Sequence, residues 1–159
     1  MTELQGRYVA VVGPGHDATA DDVVITGDIA DALAGAGAII LTGGLGGVMA
    51  AAADGARRAG GTSVALLPGA DRAAASGAHT IALPTGLGEL RNALLVRSAD
   101  VVVAVGGSWG TLSEIALAVR TGVPVVTVGG WALPEPGPVL VPDADAAVAQ
   151  VRRFCDGLD

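Results

Sequence analysis

The chain has 159 residues and a formal net charge of −7, and all nine of its Lys/Arg positions are Arg. That length suits one domain with its own core, while the acidity and the scattered arginines exclude a nucleic-acid polymer as partner, and no apolar run approaches the roughly 20 residues of a membrane span. The single cysteine, Cys155, leaves no intrachain disulfide or cysteine zinc site, and the absence of Lys removes a Walker-type phosphate lysine, a Schiff-base lysine and a pyridoxal-phosphate anchor.

The stretch Met1–Arg7 lacks the apolar core of a signal peptide, so the cytoplasm is the expected location. Strands and helices then alternate along the chain. Arg7–Gly13 is predicted as a strand and Thr19 or Ala20 to about Gly35 as a helix, with Asp21, Asp28 and Asp31 on its wet side and Val24, Ala30 and Ala34 turned inward. Ala38–Thr42 is a strand. Val48 to about Ala59 is a helix whose Asp54 and Arg58 form an outward i,i+4 pair. Thr62–Leu67 is a strand, Pro68–Gly77 a loop, His79–Leu83 a short strand, and Gly88 to about Ser98 a helix. Asp100–Val105 is a strand, followed by a helix from about Thr111 to Thr121, a strand Pro124–Val128, a Pro-rich loop Trp131–Pro138 and a closing helix Asp143–Phe154. This order predicts an α/β fold: a Rossmann-like, doubly wound parallel sheet in one domain over residues 1–159.

In such a sheet every strand-to-helix loop emerges at the carboxyl edge. Gly13-Pro-Gly15, Gly43-Gly-Leu-Gly-Gly47, Thr85-Gly-Leu-Gly88 and Gly106-Gly-Ser-Trp-Gly110 therefore share one rim. Tight turns use glycine anyway. Paired glycines just before a helix, however, also let a phosphate reach unpaired backbone N–H groups at the positive end of the helix dipole. The expected ligand is thus a phosphorylated small molecule, held by Gly13, Gly15, Gly43, Gly44, Gly46, Gly47, Met49, Gly106, Gly107, Ser108, Gly110 and Thr111, with Trp109 stacking a base or covering the pocket. Gly13-Pro-Gly-His-Asp-Ala18 has the form of a dinucleotide fingerprint, but the second strand ends Ile40-Leu-Thr42 without the ribose-binding acid, which argues against an NAD enzyme.

Arg91 and Glu114 each lie near the start of a helix that leaves this rim. A cation there opposes the helix dipole, and a bound phosphate or carboxylate is its natural partner. Thr111-Leu-Ser-Glu114 reads equally as a capping box, in which the acid only satisfies a backbone donor. No metal site is expected.

Gly43-Gly-Leu-Gly-Gly-Val-Met49, Arg91-Asn92 and Gly106-Gly-Ser-Trp-Gly-Thr-Leu-Ser-Glu114 resemble the three signatures of the LOG ("lonely guy") superfamily, GGGxxGLMG, an Arg-bearing helix start and PGGxGTxxE. The resemblance implies a Rossmann-like fold, a nucleotide-type phosphate ligand with Asn92 among its contacts, and a homodimer or homotetramer. In the phosphoribohydrolases of the superfamily, which release a base from a nucleoside 5′-monophosphate, the positions of Arg91 and Glu114 are catalytic. Thr42, Asn92, Gly106 and Ser108 depart from that pattern. Arg91-Asn92, Leu95-Val-Arg-Ser-Ala-Asp100 and Gly110-Thr-Leu-Ser-Glu114 look closer to a short branch that includes molybdenum-cofactor carrier proteins, which bind a phosphorylated pterin on the same rim. The expectation is a binding protein for a nucleotide-like or molybdopterin-type ligand with no cofactor required, a phosphoribohydrolase being the alternative. The lysine decarboxylase label carried by some relatives does not fit a chain without Lys.

Overall fold

The computed structural model describes residues 3–158, so residues 1, 2 and 159 of the expected domain lie outside the described residues. Seven strands form one all-parallel sheet: β1 (Tyr8–Val12), β2 (Ile39–Thr42), β3 (Ser63–Leu67), β4 (Ile81–Pro84), β5 (Val101–Val105), β6 (Val125–Val128) and β7 (Val139–Val141). Their order across the sheet is β4-β3-β2-β1-β5-β6-β7. Five α-helices are found among the described residues: α1 (Ala20–Gly35), α2 (Val48–Arg58), α3 (Arg91–Arg97), α4 (Trp109–Thr121) and α5 (Ala144–Asp156).

The central strands are buried on both faces, which is why they read as β-branched runs rather than alternating ones. Val9, Val11, Val101, Val103 and Val105 point into a core shared with α1, α2 and α5. Ala10, Val12, Val102 and Ala104 point the other way, toward Leu95 and Val96 of α3 and Ile115 and Ala118 of α4. β1 lies between β2 and β5, and the chain leaves β1 in one direction and β5 in the other. The crevice at the carboxyl ends of β1 and β5 is therefore the topological switch point, where open α/β sheets place their ligands.

Several local expectations need correction. The buried stripe of α1 runs through Thr26, Ile29, Ala30 and Leu33, and Val24 is 61% exposed, because the helix turns its Gly27 and Ala30 face against α2. Asp54 pairs with Arg57 at 3.3 Å, not with Arg58; Arg58 instead spans the α1–α2 crossing to Asp31 at 3.5 Å and Asp28 at 3.8 Å. The helix expected from Gly88 starts as a 3-10 turn, Gly88–Leu90, and becomes α-helical at Arg91. β7 was not expected at all. It sits between Pro138 and Pro142, and completes the sheet by pairing Val139–Val141 with Val126–Val128.

Candidate functional site

Helix α4 begins two residues earlier than its sequence suggests. Ser108 is its N-cap, in extended backbone, with Oγ accepting from Thr111 N at 3.2 Å and hydrogen-bonded to Thr111 Oγ1 at 2.8 Å. Thr111 is thus the third helical residue and Glu114 the sixth, beyond reach of any orphan N–H. The capping-box reading of Glu114 is overturned. Trp109 and Gly110, as the first two residues of the helix, have no carbonyl within it to bond.

Glu114 is 7% exposed and faces inward. Burial pushes its carboxyl up to about 7, with the charge of Arg91 pulling in the opposite direction. Arg91, at the start of α3, is 8% exposed, and its Nε has no hydrogen-bond partner. Burial lowers its pKa, and Glu114 counteracts that. No carboxylate among the described residues lies within 4 Å of its guanidinium. The two charges chosen from sequence are therefore buried and electrostatically coupled, yet not joined in an ion pair. A buried cation with an unmet donor is costly unless an anion completes it.

The guanidinium lies on the backbone of Gly43, where any Cβ would overlap it. Gly43 opens the loop that leads into α2, whose N-cap, Gly47, offers no side-chain bond and whose first turn holds no acid. The start of α4 likewise has no acid in its first turn. By contrast α1 neutralises its own N-terminus: Thr19 and Asp22 form a reciprocal capping box at 3.0 and 3.1 Å, beside Asp21. The Asp22 carboxylate also lies against Gly106, within 2.8 Å of where its Cβ would be. Apart from the first N–H of α2, which Val48 donates to Pro14 O at 3.0 Å, the dipoles of α2 and α4 meet no negative group of their own, whereas that of α1 does.

The rim glycines divide the same way. A Cβ at Gly13 would strike Val105 O and the Val48 methyls, and one at Gly47, where φ is 60°, would strike the carbonyls of Pro14 and Gly15. At Gly44 it would meet Leu67 and Ala65, and at Gly107 the backbone of Gly130 at 3.2 Å. Packing accounts for these four. Met49 fills the space between Gly15 and Gly43. Gly46 and Gly110 are different: nothing would obstruct a side chain closer than 3.8 Å, and neither has positive φ. A helical glycine at Gly110 costs up to about 1 kcal/mol relative to Ala, and no protein contact repays it.

The loop after β2 is anchored by a network that sequence reasoning missed, although Thr42 stood out as a departure from glycine. Thr42 Oγ1 accepts from Gly44 N at 2.9 Å and bonds to Nε2 of His79; His79 Nδ1 meets Ser76 Oγ at 2.8 Å, and Ser76 N donates to Gly44 O at 3.0 Å. His79 is partly buried, with its pKa lowered by that burial. Both main-chain polar groups of Gly44 are thereby consumed.

Asn92 lies beside Arg91 on a groove of about 520 Å³ between the start of α3 and α4, also lined by Glu89, Leu90, Trp109, Gly110 and Ser113. Trp109 is 80% exposed there, with its ring centroid 5.0 Å from that of Trp131 at an interplanar angle of 50°. Among the described residues no three His, Cys, Asp or Glu side chains gather to hold a metal ion, and no helix is long and apolar enough to cross a membrane.

This geometry has close counterparts. The molybdenum cofactor binding protein of the phototrophic bacterium Rippkaea orientalis superposes with a TM-score of 0.91 at 32% identity, covering 96% of this chain and 99% of its own. The molybdenum cofactor carrier protein of Chlamydomonas reinhardtii gives 0.85 at 34% identity, covering 94% and 98%. An uncharacterised protein of Archaeoglobus fulgidus is 36% identical over 120 residues, 76% of this chain and 78% of its own. With a family model matching residues 6–150, and with the signatures of the LOG superfamily gathered on one rim, the chain belongs to the SLOG cluster4 family.

Proposed function

We propose that the protein binds a phosphorylated small molecule of nucleotide or molybdopterin type, as a carrier does, with the phosphate seated between the N-termini of α2 and α4 against Arg91. One observation carries this reading: a buried guanidinium with an unmet Nε donor, lying on the loop that leads into α2, in a fold where neither α2 nor α4 sets an acid in its first turn. The likeness to molybdenum cofactor carriers, at 32% and 34% identity over nearly the whole chain, supports the ligand class. Gly110→Asp tests it, since an acid in the first turn of α4 suits the fold and occupies the seat. Calorimetry with nucleoside monophosphates is expected to show binding to the wild type and at least about tenfold weaker binding to the variant. Equal affinities in a folded variant overturn the seat, and retained ligand in native mass spectra of protein purified from its own host would name the cargo.

A second reading, a phosphoribohydrolase, is favoured by Glu114 alone. A buried carboxyl poised at about 7 suits proton transfer near neutral pH. In that reaction water adds at C1′ of the ribose and gives up a proton, while the N-glycosidic bond breaks and the base leaves with its electrons and takes up a proton. Glu114 would take the proton from water or steady the charge developing at C1′, and Arg91 would hold the phosphate side. Release of free base from adenosine, guanosine, cytidine or uridine monophosphate, lost in Glu114→Gln, would establish it. No release by the wild type leaves the carrier reading.

A further inference from the structure

We propose that the groove between the starts of α3 and α4 holds the ring system of the ligand, and that Glu89 selects rings carrying an amino group next to a ring N–H, the edge shared by guanine and pterin. The proposal rests on the phosphate seat described above and extends it across Gly110. That glycine belongs to both places: it is the second residue of α4, and it lines the groove. Since nothing in the protein needs the missing side chain, a ligand running from seat to groove is the natural reason for it.

The groove walls suit a flat polar ring. Trp109 is fixed on one side by Trp131 and leaves most of its surface uncovered, which makes it a stacking platform and not a core residue. Glu89 and Asn92 supply the polar wall, and Ser113 adds a hydroxyl. A carboxylate accepts two N–H bonds side by side. Guanine and pterin offer such a pair; adenine offers an amino group beside a bare ring nitrogen, and uracil offers no amino group. The volume, about 520 Å³, exceeds what a bicyclic ring requires, and leaves room for the substituents of either.

Four probes test this by calorimetry: guanosine monophosphate, dihydroneopterin monophosphate, uridine monophosphate and ribose 5-phosphate. All four are expected to bind, the first two at least about tenfold more tightly. Glu89→Gln is expected to bring those two down to the level of ribose 5-phosphate without changing ribose 5-phosphate itself, Trp109→Ala is expected to weaken both, and in a Trp131→Phe background guanosine monophosphate is expected to quench the remaining Trp fluorescence. Whichever of the two binds more tightly identifies the source of the edge. Equal affinity for all four probes overturns the groove and leaves the phosphate seat standing; so does a preference that survives Glu89→Gln. Failure of every probe to bind at millimolar concentration overturns seat and groove together.

Discussion

Replacing Glu114 by Gln is expected to stabilise the protein at pH 8 relative to the wild type, and to give no such advantage at pH 5. Burial holds the carboxyl at about 7 against its ordinary 4.5, so between those values the folded chain keeps a proton that the unfolded chain has released. The unfolding free energy contributed by this group is therefore greatest below the unfolded value, falls as the pH rises from about 4.5 to about 7, and is level above. Lifting one carboxyl over that interval amounts to about 3 kcal/mol. Glu114 is 7% exposed, so solvent screening takes little of it. Gln keeps the length and branching of the side chain but cannot titrate. Urea unfolding of both proteins at pH 5 and pH 8 isolates the effect, because every other carboxylate is common to the pair. Nearly 1 kcal/mol of that is already lost at pH 5, so the gap between variant and wild type should shift by about 2.5 kcal/mol in favour of the variant at the higher pH. A gap that is the same at both pH values within the error of the titrations would refute the account of Glu114 as a buried, neutral-poised acid.

Thr42→Val removes the oxygen that accepts from Gly44 N and meets His79, leaving a buried donor unmet; the expected loss is about 2 kcal/mol, and Thr42→Ser should recover most of it. Equal urea midpoints for wild type and Thr42→Val would show that the network does not hold the loop. Leu87 and Leu94, on either side of the start of α3, are exposed, and burying them against a second copy should yield a dimer or tetramer. Sedimentation finding only a 15.4 kDa species at micromolar concentration contradicts that assembly.

Much of the fold was legible because the central strands are valine runs and the helices between them keep their period. β7 was hidden: three apolar residues in a Pro-rich stretch carry no strand signal, and only pairing with β6 makes them one. The frame of α4 was misread for a different reason. Ser108 and Thr111 are both competent caps, and the sequence does not choose between them; the extended backbone at Ser108 does, and it moves Glu114 from the helix end into the interior. The convergence of Arg91 and Glu114 followed from topology, since both helices leave the same edge. Glu89 and Ser113 had no such signal, being exposed polar residues whose meaning depends on the groove they share with Trp109. Nor could sequence tell which glycines are spoken for, because the obstacle at each is a residue distant along the chain.

Both borders of the sheet carry their own stops. β4 ends in Pro84, and β7 is enclosed by Pro138 and Pro142, residues that have no N–H to offer a neighbouring strand. β7 is only three residues long, and its Leu140 is 64% exposed, an edge that would otherwise invite an incoming chain. A foreign strand arriving at either border finds at most a few ladder bonds before the register is blocked. Growth of this sheet into a continuous ribbon is thereby cut short, so a molecule with half its residues hydrophobic can stay dispersed while its helical faces remain free to meet other surfaces.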